Sequence, residues 1–160
     1  MTIKPIRAAA LAVLLVPALA IPATAGTSGA GHGHGHGCER SFDRAVDAYV
    51  ETTDERDADG FAALLHEDVT AIFANGGVLY GKDQTMGFIE PFFEAPGWTQ
   101  TFDELTRHVD GCRTGFVLFD SVYTEDGTEV PLVIGLTFTR ERGRWLVLQN
   151  QDSSGPASQG

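Results

Sequence analysis

Positive charge is scarce in this chain: 11 Lys and Arg face 22 Asp and Glu, for a formal net charge of −11. A surface of that sign repels phosphate backbones and anionic lipid headgroups, which excludes nucleic acid and membrane surfaces as partners. Long apolar runs are also missing. Residues 8–21 form an apolar stretch of 14 broken by Pro17, short of the roughly 20 that span a bilayer. Cysteine is limited to Cys38 and Cys112. What the chain does have is apolar bulk. It is 42% hydrophobic, with ten Phe, two Trp and three Tyr, enough to offset the cost of ordering one domain.

Lys4 and Arg7 precede the apolar stretch, and Ala23-Thr24-Ala25 supplies small residues at the positions a signal peptidase reads. Residues 1–25 are therefore expected to be a cleaved signal peptide, with the mature protein secreted or otherwise extracytoplasmic. Removing 25 of 160 residues leaves 135, and losing Lys4 and Arg7 deepens the charge from −11 to −13. In an oxidising compartment Cys38 and Cys112, 74 residues apart, are expected to pair. A loop of that length is worth about 4 kcal/mol in the chain-entropy picture.

Residues 26–37 (GTSGAGHGHGHG) contain nothing apolar larger than Ala and read as a flexible arm. His32, His34 and His36 alternate with glycine there, so their imidazoles can converge on Zn or Cu. A loose arm without supporting partners would hold such an ion weakly. A plain soluble spacer is the alternative.

The domain itself is expected over residues 38–153, with a loose tail at 154–160. Ser41 is placed to cap a first helix over residues 41–56, whose Phe42, Val46, Tyr49 and Thr53 recur at helical steps. Asp57 or Asp59 caps a shorter helix carrying Phe61, Leu64 and Leu65 and ending at His66-Glu67-Asp68. A β-branched run over residues 69–73, the turn Asn75-Gly76-Gly77 and residues 78–80 read as a hairpin. Residues 82–93 form a third helix, which Pro91 is expected to kink or split. Four strands then follow, over residues 101–109, 113–123, 129–140 and 144–151, separated by turn signals at Gly111, Gly127 and Gly143. Helices first and a long antiparallel meander last is an α+β order, in which helices cover the concave face of a strongly bent antiparallel sheet.

Residues 49–69 (YVETTDERDADGFAALLHEDV) resemble the opening of the SnoaL-like branch of the nuclear transport factor 2-like superfamily. The Gly77-x-x-x-Gly81 spacing, the Arg140-x-x-Gly143-x-Trp145 turn and the ending at residues 145–153 (WLVLQNQDS) agree with it in order and spacing. The resemblance implies a cone-shaped α+β barrel with an apolar cavity and a homodimer formed through the outer face of the sheet. It implies no single activity, because that cone hosts isomerases, cyclases, hydrolases, binders and assembly domains. In ketosteroid isomerases of the superfamily a helix-one Tyr and two acids handle the proton. Tyr49 matches the first, but the acid positions correspond to Phe73 and to Gly135 or Leu136, so that trio cannot operate here.

Two readings of Asp152 stay open. It is a solvated strand end beside Ser153 and Ser154, or a cavity carboxyl, on the same strand face as Asn150, whose pKa burial would raise into the range of a general base. Tyr49 is either a hydrogen-bond donor to a ligand or a core tyrosine bonded to a backbone carbonyl. The expected ligand contacts are Tyr49, Phe73, Tyr80, Trp98, Tyr123 and Asn150. Three functions are compatible with these residues. The first is a secreted binder of a small apolar molecule, without chemistry. The second is a cyclase, isomerase or hydrolase using Asp152 as base and Tyr49 as donor. The third is an assembly or metal-scavenging module acting through the sheet face or the His arm.

Overall fold

The computed structural model describes residues 32–155. The expected signal peptide, the side chains of His32, His34 and His36, and most of the expected tail lie outside the described residues. Helix α1 runs from His32 to Glu55, α2 from Ala58 to Leu64 and α3 from Gly81 to Glu94. The strands are β1 (Leu65–Ile72), β2 (Val78–Tyr80), β3 (Trp98–Asp110), β4 (Thr114–Glu125), β5 (Thr128–Glu141) and β6 (Arg144–Ser154).

The expected meander of four strands is present as β3 to β6, and the earlier hairpin joins it to give a six-stranded sheet ordered β2-β1-β6-β5-β4-β3. The junction is a parallel pairing of β1 with β6, Ala71 opposite Asn150; every other pair is antiparallel. Two of the meander's turns, Asp126-Gly127 and Arg142-Gly143, have positive φ at both residues, the geometry whose twist matches flanking strands. Register skips at Leu105 in β3 and Leu148 in β6 mark bulges, which bend the sheet over the helices.

Four local expectations are corrected. α1 starts well before Ser41, so residues 32–37 of the stretch read as an arm fall within it. Ser41 is no cap: its hydroxyl donates to the Cys38 carbonyl (2.8 Å) and accepts from the Trp145 indole N–H (3.0 Å). His66, Glu67 and Asp68 belong to β1 and not to a helix end, because the backbone turns extended at Leu65 (φ −83°, ψ 139°), whose side chain buries beside Val147. α3 runs unbroken through Pro91. The residue lies in the last turn with its face outward, and the carbonyl deprived of a partner is that of exposed Gly87.

The core lies between α1 and the sheet. Phe42, fully buried, meets Phe138 and Trp145 edge-on with ring centroids 5.2 Å from each. Strand β4 approaches this ring so closely that a methyl group at Gly115 would overlap it. A disulfide between Cys38 and Cys112, Cα atoms 5.5 Å apart, fastens α1 to the β3–β4 turn.

At the other end of α1, Arg56 takes a left-handed conformation (φ 58°), a place that ordinarily favours glycine. Its side chain explains the choice. The guanidinium donates to the carbonyls of Ala95 (3.0 Å) and Trp98 (2.6 Å) and stacks 4.5 Å over the Trp98 ring, tying α1 to the start of β3.

Candidate functional site

Between the concave face of the sheet and the helices lies a cavity of about 190 Å³. α1 supplies Tyr49 and Thr53 to its wall, α2 Phe61, and α3 Thr85, Phe88, Ile89, Phe92 and Phe93. β1 and the residue after it contribute Leu65, Val69, Ala71 and Phe73; the rest of the sheet contributes Gln100, Tyr123, Leu132, Ile134, Asn150 and Asp152. The rings form a continuous run: Phe73 lies 4.8 Å from Phe88, Phe88 stacks on Phe92 at 5.7 Å, and Phe92 lies 6.0 Å from Tyr123. Phe88 is 42% exposed and forms part of the rim. The lining contains no Lys, Arg, His or Glu.

One polar chain crosses this apolar wall. The Tyr49 hydroxyl donates to Asn150 Oδ1 (2.7 Å), and Asn150 Nδ2 donates to Asp152 Oδ1 (3.0 Å). Burial, with the Asp152 carboxylate as a second cause, holds the Tyr49 pKa well above that of an ordinary phenol, so Tyr49 stays a proton donor. Burial also raises the Asp152 carboxyl above its ordinary range, against the Asn150 amide, which pulls it down. No described side chain or backbone group donates to Asp152 Oδ2.

The bulge at Leu148 determines which side chains meet the cavity. Trp145 and Val147 are buried against the helices, and unbroken alternation from them would turn Gln149 and Gln151 inward. The extra residue resets the count, so Asn150 and Asp152 point in while Gln149 and Gln151 line the outer face.

Of the six expected ligand contacts, Tyr49, Phe73, Tyr123 and Asn150 line the cavity; Tyr80 and Trp98 do not. Tyr80 is 66% exposed at the end of the short edge strand β2. Trp98 is 3% exposed and sits behind the wall, stacked on Phe92 at 4.3 Å with its indole N–H donating to the Phe92 carbonyl. Tyr49 is bonded to the Asn150 side chain and not to a backbone carbonyl. Asp152 is a cavity residue and not a solvated strand end. The sequence reading missed Phe88 and Gln100. Phe88 lies off the apolar stripe of its helix, and Gln100 precedes Thr101, where the sequence pattern starts its strand.

The histidines of the sheet lie away from the cavity. His66 accepts the Asp68 N–H at Nδ1 (3.0 Å), which leaves Nε2 to donate to Glu141 (3.0 Å) on the sheet surface. His108 is exposed on β3. Its neighbour across the β3–β4 turn, Cys112, is held in the disulfide. Among the described residues no group of three or more His, Cys, Asp or Glu is set to hold a metal ion.

The family model for the SnoaL-like domain matches residues 46–147. A nuclear transport factor 2-like protein of unknown function from Pseudomonas putida superposes with a TM-score of 0.67 at 16% identity, covering 78% of this chain and 91% of its own. A nuclear transport factor 2-like protein with a cystatin-like fold from Novosphingobium aromaticivorans gives 0.65 at 18% identity, covering 79% and 87%. A cystatin-like domain of unknown function from Nostoc punctiforme gives 0.65 at 14% identity, covering 76% and 80%. At such identities the structural likeness establishes the fold alone. No curated protein matches the sequence.

Proposed function

Because the chain belongs to the SnoaL-like family, on a nuclear transport factor 2-like fold, we propose that it binds a small, largely apolar molecule in the cone, outside the cytoplasm and as a homodimer. The observation that carries this reading is a cavity walled mainly by aromatic and aliphatic side chains, with a hydrogen-bonded chain, Tyr49–Asn150–Asp152, to orient a guest. A cavity of about 150 Å³ suffices for benzene, so this one accommodates one ring with a short substituent. The disulfide suits an oxidising compartment, and no described helix is long and apolar enough to cross a membrane. The outer face of the sheet offers Phe116, Leu118 and Val133 in a shallow groove for a second copy. The Gly/His segment would serve as a weak Zn or Cu site or a spacer.

A second reading is favoured by one observation: the Asp152 carboxyl faces the cavity, and burial moves its pKa toward neutrality. A group so placed is a general base for a proton on the bound molecule. In that case Tyr49 acts through Asn150 as a positioning residue, since its hydroxyl is already committed.

Native mass spectrometry of the protein purified from its secretion medium tests the binding reading, since it reports a retained ligand, subunit number and disulfide mass together. A small-molecule adduct released on unfolding is the expected result. A bare chain mass, with no thermal shift from a panel of single-ring compounds, would overturn it.

A further inference from the structure

We propose that the cavity selects a small amine: a cationic nitrogen donates to the unoccupied oxygen of Asp152 while one hydrocarbon ring lies among Phe88, Phe92 and Ile134. This deepens the binding reading above and rests on it. Four observations converge on a cation. Asp152 Oδ1 takes the Asn150 amide, whereas Oδ2 receives no hydrogen bond from any described residue, so it stands free to accept a donor that a guest brings. The lining supplies no positive group to balance the carboxylate, and a carboxylate in apolar surroundings is costly until a counter-charge arrives. Phe88, Phe92 and Tyr123 belong to the cavity lining, and aromatic rings attract a cation that reaches their faces. The chain carries a formal charge of −11, which draws cations toward the molecule and turns anions away.

The same arrangement disfavours the alternatives. A carboxylate or phosphate guest would set like charge against Asp152 with no Lys, Arg or His to relieve it. A neutral alcohol could donate to Oδ2 but would leave the partly buried charge unbalanced. The cavity volume of about 190 Å³ limits the guest to a single ring with a short arm.

Calorimetric titration of the intact protein at pH 7 with benzylamine, benzyl alcohol, benzoate and toluene tests the assignment. These four share one ring and differ in the charge and donor of the substituent. Benzylamine is expected to bind at least tenfold tighter than benzyl alcohol or toluene, and benzoate not to bind. Asp152→Asn is expected to bring benzylamine down to the level of benzyl alcohol while leaving toluene unchanged. Equal or tighter binding of the alcohol or the benzoate overturns the amine assignment and leaves the cavity-binding reading standing. So does an Asp152→Asn variant that holds benzylamine undiminished. Failure of all four probes to bind overturns both. Should the variant not fold, the ranking of the four probes on the unaltered protein decides by itself.

Discussion

The disulfide offers the sharpest quantitative test of the fold. Replacing both Cys38 and Cys112 with Ser removes a cross-link spanning 74 residues. With that loop length, the chain-entropy relation puts the loss at about 4.4 kcal/mol at 25 °C. The bridge joins the N-terminal half of α1 to the β3–β4 turn, so the folded state has little to rearrange when it goes. Both cysteines lie on the side of the molecule occupied by Phe42 and Trp145, away from the polar chain at Tyr49. Urea unfolding followed by Trp fluorescence measures the effect. With a urea slope of about 2 kcal/mol per molar for a domain of this size, the midpoint should fall by roughly 2 M. Residual folded protein should keep its ligand affinity. A loss below about 1 kcal/mol would refute the reasoning. It would mean that these two segments stay near one another in the unfolded chain, leaving the bridge little disorder to suppress.

Three further outcomes are expected. The Asp152 carboxyl has a higher pKa folded than unfolded because burial penalises its charge, so the native state binds the extra proton and stability falls as pH climbs from the ordinary value of 3.8 through the raised one. Asp152→Asn should therefore raise the melting temperature above that window and leave it nearly unchanged below it; a constant difference across pH 3 to 8 by thermal denaturation argues against the assignment. Arg56→Ala loses two hydrogen bonds, the stack on Trp98 and a tolerable left-handed residue, and should cost about 2–3 kcal/mol in chemical denaturation. Arg56→Gly keeps the backbone geometry and should cost measurably less. Gly115→Ala forces a methyl into the Phe42 ring and should cost about 1–3 kcal/mol, and calorimetry showing no loss would mean that the core there is looser than described.

Much of the fold was legible from residue pattern. Phe42, Val46, Tyr49 and Thr53 mark the buried face of α1 by spacing, and Asp126-Gly127 and Arg142-Gly143 announce their turns by chemistry. The disulfide followed from compartment and count. Where the reading failed, a long-range contact decided. His66 sits in a strand because Leu65 finds Val147 across the sheet, which local preference around residue 66 does not encode. Aromatic character points to Tyr80 and Trp98 as ligand contacts, yet one ends an edge strand and the other braces the wall from behind. Asn150 and Asp152 were correctly set on one face of β6. Which face depends on the extra residue at Leu148, and alternation counted from Trp145 gives the opposite answer.

The parallel partnership of β1 with β6 has a consequence for biogenesis. The strand bearing Asn150 and Asp152 is the last of the sheet to leave the ribosome, and its neighbour emerged some eighty residues before it. Until β6 arrives, β1 and its hairpin have α3 to pack on but no further strand to join, and the chamber lacks its polar wall. A nascent chain thus has no complete chamber until β6 has paired, and any truncation ahead of residue 145 removes the strand that closes it and joins the hairpin to the meander.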